Sequence, residues 1–220
     1  MFLGHFGVAL AAKRVVPGAS LGTTMFAAQF LDALWPLFVL AGIEHFAIAP
    51  GITRVMPLDF TYYPWSHSLA MAVVWAALFA LGYVALRRRP VYALWLALLV
   101  VSHWVLDWIV HRPDLPLAPG GVSLHGLGLW NSVAASLLLE LGLFAAGVAI
   151  YISCTRAVDR IGSIAFWALV VLLLAAYAGA TFGPPPPSVA AVAASNIVGY
   201  LFIALAAWAD HHRRATGVAS

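Results

Sequence analysis

The sequence predicts an all-α protein, a polytopic membrane bundle of six spanning helices preceded by a short N-terminal helix. Three observations favour this fold class. Hydrophobic residues make up 64% of the chain and charged residues only 9%, whereas soluble domains carry about a quarter charged residues. The mean hydropathy is +0.96. Apolar segments also recur along the chain, each long enough to cross a hydrocarbon core of about 30 Å.

The elements follow in order along the chain. Residues 2–14 carry their basic pair after the apolar run, which predicts a retained short helix rather than a secretory signal. The proline run at 184–187 cannot continue a helix and predicts a stiff turn between the last two spans. We treat residues 1–220 as a single integral-membrane domain, with the candidate site in 1–115 and the remaining helices in 129–209. The six spans are predicted at 21–46, 65–86, 90–111, 129–152, 162–182 and 188–209.

The positions of the basic residues predict the orientation of the bundle. If the arginines at 87–89 are cytoplasmic, nine of the eleven Lys and Arg residues lie on that side, and only Arg54 and Arg112 lie outside. Both termini are then cytoplasmic, and the loops 47–64 and 112–128 face outward. The net charge of +3 is small, and no nucleic-acid partner is predicted. The single cysteine excludes an intramolecular disulfide and a CxxC motif.

A few ionisable residues fall inside the predicted membrane segments. Such groups are costly in hydrocarbon, so those that persist usually face the bundle interior and have a function. A rise of about 1.5 Å per residue brings most of them to similar heights in the outward half of the bilayer. They are His5, Asp32, His67, His103, Asp107 and Glu140.

The pair His103 and Asp107 forms a His-x-x-x-Asp unit with both side chains on one helical face. Asp32 and His67, from neighbouring spans, complete a mixed nitrogen and oxygen set that suits Zn²⁺, Mn²⁺ or Fe²⁺. The competing interpretation is that these side chains only form hydrogen bonds between helices. Pro36 removes the hydrogen bond to the Asp32 carbonyl and predicts a kink there.

Other polar residues leave more alternatives open. Glu140 is compatible with a supporting role behind the ligands, with proton transfer or with a helix–helix hydrogen bond. Ser66 and Ser68, on either side of His67, are candidate partners of the ligands. A further group lies at the outward boundary, where we expect water to satisfy it: Glu44, His45, His111, Arg112 and Asp114.

Four short segments resemble a known family. GHFGVALAAK, QFLDALWP, WSHSLA and SHWVLDW are similar to segments of the membrane-bound metal-dependent hydrolases of the LexA-regulated inner-membrane family. The chain is also faintly similar to zinc-dependent phospholipase C. The resemblance covers roughly residues 1–115 and implies a bacterial inner-membrane protein. It marks as metal ligands His5, Asp32, His67, His103 and Asp107.

The sequence therefore favours an integral-membrane metallohydrolase that holds a divalent cation, Zn²⁺ before Mn²⁺ or Fe²⁺. Asp32 or Glu140 would accept a proton as the catalytic base. The substrate would be a membrane lipid or other amphiphile with an ester or phosphodiester bond, and His111 and Arg112 would bind an anionic head group.

Two other classes of protein remain as alternatives. A metal-ion or proton transporter would use the same His and Asp residues as a pathway, but the inner halves of the second and third spans carry no ionisable group. A bis-His haem protein would use His67 and His103, but haem ligation needs no carboxylates.

Overall fold

The computed structural model describes residues 1–216 and confirms an all-α helical bundle. Five of its segments are long and apolar enough to cross a membrane: α5, α6, α7, α8 and the continuous run of α9 and α10. Within the described residues the helices are α1 (Leu3–Ala11), α2 (Leu21–Ala28), α3 (Phe30–Leu40), α4 (Pro64–His67), α5 (Leu69–Arg87), α6 (Pro90–Val110), α7 (Val133–Cys154), α8 (Arg160–Phe182), α9 (Val189–Val198) and α10 (Tyr200–His211).

The first predicted span, 21–46, is broken into α2 and α3. Only the two helices together are long and apolar enough to cross a membrane, and they meet at an angle of 56°. The break lies at Gln29, whereas Pro36 lies inside α3. The observed break thus lies three residues before Asp32, the residue at which Pro36 predicts a kink. The break ends α2 at Ala28, whose carbonyl becomes available to a partner outside the helix.

Short hairpins lie in the connections between helices, although the sequence shows no strand pattern. β1 (His45–Ile48) pairs with β2 (Leu58–Tyr62), and β3 (Leu115–Pro116) pairs with β4 (Leu124–His125), both antiparallel. We call the end of the bundle that carries these hairpins the long-loop end. At the opposite end, called the short-loop end, β5 (Thr155–Ala157) pairs with β6 (Arg213–Ala215).

Helix α1 is short, yet it lies in the core of the bundle. Its side chains Leu3, Phe6 and Leu10 belong to the main hydrophobic cluster. Gly7 meets Gly147 of α7 so closely that a Cβ atom on either glycine would overlap backbone atoms of the other helix. Because neither residue has a side chain, the two backbones come into direct contact, and α1 is held inside the bundle.

A buried ion pair closes the short-loop end. Lys13 Nζ lies 2.5 Å from Asp210 Oδ2, and the Lys13 ammonium also donates to the carbonyl of Ala19 at 2.7 Å. Asp210 accepts further hydrogen bonds from the Tyr151 hydroxyl at 2.7 Å and the backbone N–H of Leu21 at 3.0 Å. The pair therefore ties the end of α1 to the start of α2, to α7 and to α10.

Candidate metal centre

Five of the predicted site residues meet in the interior of the bundle. His5 comes from α1, Asp32 from the first turn of α3, His67 from α4, and His103 and Asp107 from α6. They form two groups that could hold a metal ion, His5–His103–Asp107 and Asp32–His67–His103. The structure thus brings together side chains from four separate helices, as the sequence predicts.

Donor atoms in this cluster approach one another, in two overlapping groups of three residues, at distances close to those between ligands of one ion. Asp32 Oδ1 lies 3.4 Å from His67 Nε2 and 3.7 Å from His103 Nε2. Asp107 Oδ2 lies 3.1 Å from His103 Nε2 and 3.9 Å from His67 Nε2. A tetrahedral Zn²⁺ with ligands at about 2.0–2.2 Å separates its ligand atoms by about 3.3–3.6 Å. These four nitrogen–oxygen distances, from 3.1 to 3.9 Å, span this range.

The hydrogen bond on the other side of the His103 ring defines its tautomer. His103 Nδ1 lies 2.7 Å from the carbonyl oxygen of Ala28, which can only accept a proton. Nδ1 is therefore the protonated nitrogen of the neutral ring, and Nε2 presents its lone pair to the cluster. Nε2 is buried and makes no aligned hydrogen bond to any residue from 1 to 216. A lone pair of this kind, surrounded by carboxylates, fits a cation.

A chain of hydrogen bonds supports His67 in the same way. His67 Nδ1 lies 2.7 Å from Ser66 Oγ, and the Ser66 hydroxyl donates to Glu44 Oε2 at 2.6 Å. Ser66 therefore takes the supporting role that the sequence suggests. Ser68 does not, because its side chain caps α5 by accepting from the backbone N–H of Met71.

His5 and Met1 contact the second oxygen of Asp107. His5 Nε2 lies 3.1 Å from Asp107 Oδ1, in hydrogen-bonding geometry, and the Met1 ammonium group contacts the same oxygen. His5 Nδ1 is buried without a hydrogen-bond partner among the described residues. Both oxygens of Asp107 are thus engaged, one with each of two imidazoles.

Glu140 holds the start of α1. Its carboxylate accepts from the backbone N–H groups of Phe2 and Gly4, at 3.0 Å each. These N–H groups belong to the first turn of a helix, where no intrahelical acceptor exists. Glu140 therefore positions the helix that carries His5. This contact matches the helix–helix alternative that the sequence leaves open for this residue.

At the long-loop end, the side chains next to the cluster are paired with one another. The His111 ring lies 2.9 Å from Asp114, and the Tyr63 hydroxyl donates to the same Asp114 oxygen at 3.1 Å. Arg112 pairs with Asp59 and with Asp114. Burial lowers the pKa of His111, although Asp114 opposes the shift. Burial raises the pKa of Tyr63, and the negative charge of Asp114 adds to this rise.

The expectation that water satisfies the boundary residues is wrong for three of them. Glu44, His111 and Asp114 are buried, and each has protein partners. His45 is exposed, and the Arg112 side chain is about a third exposed. The loops 41–64 and 111–132 fold back over the helix ends, a long-range arrangement that local sequence does not indicate. Glu44 and Tyr63 are the site residues that sequence reasoning missed.

A cavity of about 630 Å³ opens onto the cluster. Asp32, His67 and Asp107 line one part of its wall, while His5 and His103 are fully buried. Asp32 is the most accessible member of the cluster, with a side chain 33% exposed. The rest of the wall is mainly apolar and includes parts of the N-terminal segment and α1, α3, the 50–63 segment, α8, α9, α10 and the proline turn.

Comparison with known proteins adds no relative. No known protein-family model, curated protein or solved structure matches the chain. The resemblance to LexA-regulated metal-dependent hydrolases therefore stays a prediction from four short segments. Fold and geometry together define a helical bundle with membrane-length helices and a buried His/Asp cluster suited to a metal ion.

Proposed function

We propose that this protein is an integral-membrane metal-dependent hydrolase that acts on a lipid or other amphiphile containing an ester or phosphodiester bond. The observation that carries the proposal is the position of the donor atoms. The donor atoms of Asp32, His67 and His103 lie within 4.8 Å of one another, with Asp107 Oδ2 at 3.1 Å from His103 Nε2, beside a largely apolar cavity of about 630 Å³. An apolar cavity with a few convergent polar groups is typical of a small-molecule site.

The donor set supports a borderline transition metal, and Zn²⁺ is our first choice before Mn²⁺ or Fe²⁺. The donors are imidazole nitrogens and carboxylate oxygens, which suit these three ions. Cys154, the one cysteine of the chain, lies at the end of α7, at the short-loop end and away from the cluster. The ion would therefore be held without a sulfur ligand.

The residues of the chain would share the chemistry with the ion. A bound divalent cation lowers the pKa of a coordinated water and polarises the oxygen of an ester or phosphodiester. Asp32 is our candidate for the proton acceptor because its carboxylate is the most accessible in the cluster. Glu140 also lines the cavity, but its carboxylate already accepts backbone hydrogen bonds from α1.

The head group of the substrate would meet basic side chains at the long-loop end. His111 lines the cavity, while Arg112 is engaged with Asp59 and Asp114. Arg54 also lines the cavity and is exposed. We therefore propose His111 and Arg54 as the groups nearest to an anionic head group, with Arg112 holding the loop behind them. A guanidinium binds phosphate oxygens in a bidentate manner.

The packing favours an enzyme over a metal-ion or proton transporter. A transporter needs a polar route from the cluster to the short-loop end. Along α1 and α2, the space between the cluster and the short-loop end is filled by the fully buried side chains of Leu10, Leu21 and Met25. The ion pair of Lys13 and Asp210 lies beyond them. We further propose the location that the sequence predicts, a bacterial inner membrane with both termini in the cytoplasm.

The test is metal analysis joined to a hydrolysis assay. The protein is purified in detergent without chelators, and transition metals are quantified per chain. The same sample is then incubated with mixed micelles of phosphatidylglycerol and phosphatidylethanolamine, with and without EDTA, and products are identified by mass spectrometry. We expect about one metal ion per chain and lipid hydrolysis that EDTA abolishes.

His103→Ala and His45→Ala form a matched pair for this test. His103 is fully buried in the cluster, whereas His45 is exposed on β1. We expect the first variant to lose metal and hydrolysis and the second to keep both. Wild-type protein without metal would overturn the proposal. Metal uptake into proteoliposomes without any hydrolysis would favour the transporter instead.

A further inference from the structure

Glu44 is a fully buried carboxylate between α3 and β1 whose three hydrogen-bond donors all come from residues 65 and 66. Its Oε1 accepts from the backbone N–H groups of Trp65 and Ser66, at 2.8 Å each. Its Oε2 accepts from the Ser66 hydroxyl at 2.6 Å. A buried carboxylate is costly in free energy unless hydrogen bonds satisfy it. The donors that satisfy Glu44 belong to the two residues directly before His67.

The direction of these hydrogen bonds is determined by counting protons. The Ser66 hydroxyl has one proton, and it donates that proton to the Glu44 carboxylate, which can only accept. Ser66 Oγ must then accept from His67 Nδ1, which lies 2.7 Å away. His67 Nδ1 therefore carries a proton, and in the neutral ring Nε2 has the lone pair, which faces Asp32 Oδ1 at 3.4 Å.

We propose that Glu44 is a positioning residue that fixes the tautomer of His67 through Ser66 and so prepares Nε2 to bind a cation. The inference rests on the proposed metal site for its purpose, but the tautomer itself is a property of the metal-free protein. His103 is fixed by a backbone carbonyl, that of Ala28. His67 is instead fixed by a side-chain relay that ends in a charge. Carboxylates behind metal-binding histidines orient the ring and raise its basicity.

The same three residues could suggest a serine nucleophile, but their order argues against it. In a catalytic triad the histidine lies between the acid and the serine and takes the serine proton. Here Ser66 lies between Glu44 and His67, donates its proton to the carboxylate and is fully buried. The geometry therefore assigns Ser66 to the relay.

Glu44→Gln tests the inference because it reverses the relay while preserving size. The amide oxygen can still accept from the two backbone N–H groups, but the amide NH₂ would now donate to Ser66 Oγ. The Ser66 hydroxyl would then turn toward His67 Nδ1, and the proton of the neutral ring would move to Nε2. Imidazole ¹⁵N NMR of the metal-free protein in detergent measures the tautomer, with the His67 signals assigned by their loss in His67→Asn.

We expect the wild type to show the Nδ1–H tautomer at His67 and Glu44→Gln to show the Nε2–H tautomer. The affinity for Zn²⁺, measured by competition with a chromophoric chelator, should fall about 10- to 100-fold. Asp59→Asn is the matched control, since Asp59 pairs with Arg112 in the same part of the molecule. It should leave both the tautomer and the affinity unchanged. Ser66→Thr, which keeps the hydroxyl, should also resemble the wild type.

Glu44→Gln protein that keeps the Nδ1–H tautomer would overturn the inference, even if its metal affinity falls, because Glu44 would then support only the fold. If Glu44→Gln fails to fold, Ser66→Ala carries the test, and we expect His67 to populate both tautomers. A tautomer change in a protein whose wild type binds no metal would support the relay and overturn the proposed function. Failure of the Glu44 relay and failure of the proposed metal-dependent function therefore give different results.

Discussion

The imidazole rings of His5 and His103 stack in parallel, with centroids 3.8 Å apart and 3° between their planes. One ring comes from the short helix α1 and the other from the membrane-length helix α6. Each places Nε2 at 3.1 Å from a different oxygen of Asp107. Asp107 is therefore the residue on which both histidines converge.

Asp107→Asn should release the metal while the fold is retained. The amide keeps the size of the side chain but removes the negative charge that offsets a cation beside His103. Asp114→Asn is the matched control, because Asp114 is also buried but binds Tyr63, His111 and Arg112 instead. We expect it to keep the metal and to lower the melting temperature. Metal content and thermal unfolding in detergent check both variants, and full metal occupancy in Asp107→Asn would exclude Asp107 as a ligand.

Gly147→Ala should weaken metal binding although Gly147 is not a ligand. A Cβ atom there would overlap the backbone of Gly7 and push α1 away from α7, which would move His5 relative to Asp107. Gly142→Ala, in the same helix, has open space around its Cβ position and should retain full affinity, with a small gain in helix propensity. Zinc titration of both variants tests this. Equal affinities would show that the position of α1 does not matter for the site.

Lys13→Ala should destabilise the protein strongly. It leaves the Asp210 carboxylate buried without its ammonium partner, and breaking a buried pair in this way costs about 3–5 kcal/mol. Arg14→Ala removes the adjacent, exposed charge and should change stability by less than about 1 kcal/mol. Denaturant unfolding in detergent compares them. A Lys13→Ala variant as stable as Arg14→Ala would mean that the ion pair contributes nothing.

The basic residues predict that the long-loop end faces outward, and cysteine labelling can test this. In a Cys154→Ala background, Ser123→Cys places a thiol in the 112–128 loop, and Val158→Cys places one at the short-loop end, where the Val158 side chain is exposed. A membrane-impermeant maleimide added to intact spheroplasts should label only the first. Labelling of Val158→Cys alone would invert the proposed orientation.

The sequence by itself determined the class of fold and the members of the cluster. Long apolar segments must form helices in a membrane, because only internal hydrogen bonds can satisfy their backbone groups there. Ionisable residues inside such segments are conspicuous because they are costly, so His103, Asp107 and Asp32 could be identified without a structure. The His-x-x-x-Asp spacing then placed two of them on one helical face.

Only the tertiary structure decided how these side chains are held. The break at Gln29 exposes the Ala28 carbonyl to His103, and the loop after α3 brings Glu44 to Ser66. Both contacts join residues far apart in sequence, and no local periodicity encodes them. Glu44 in particular resembles a solvated loop residue until the loop folds back and buries it. Its burial depends on long-range packing, which is why its hydrogen bonds to the His67 segment could not be predicted from the sequence.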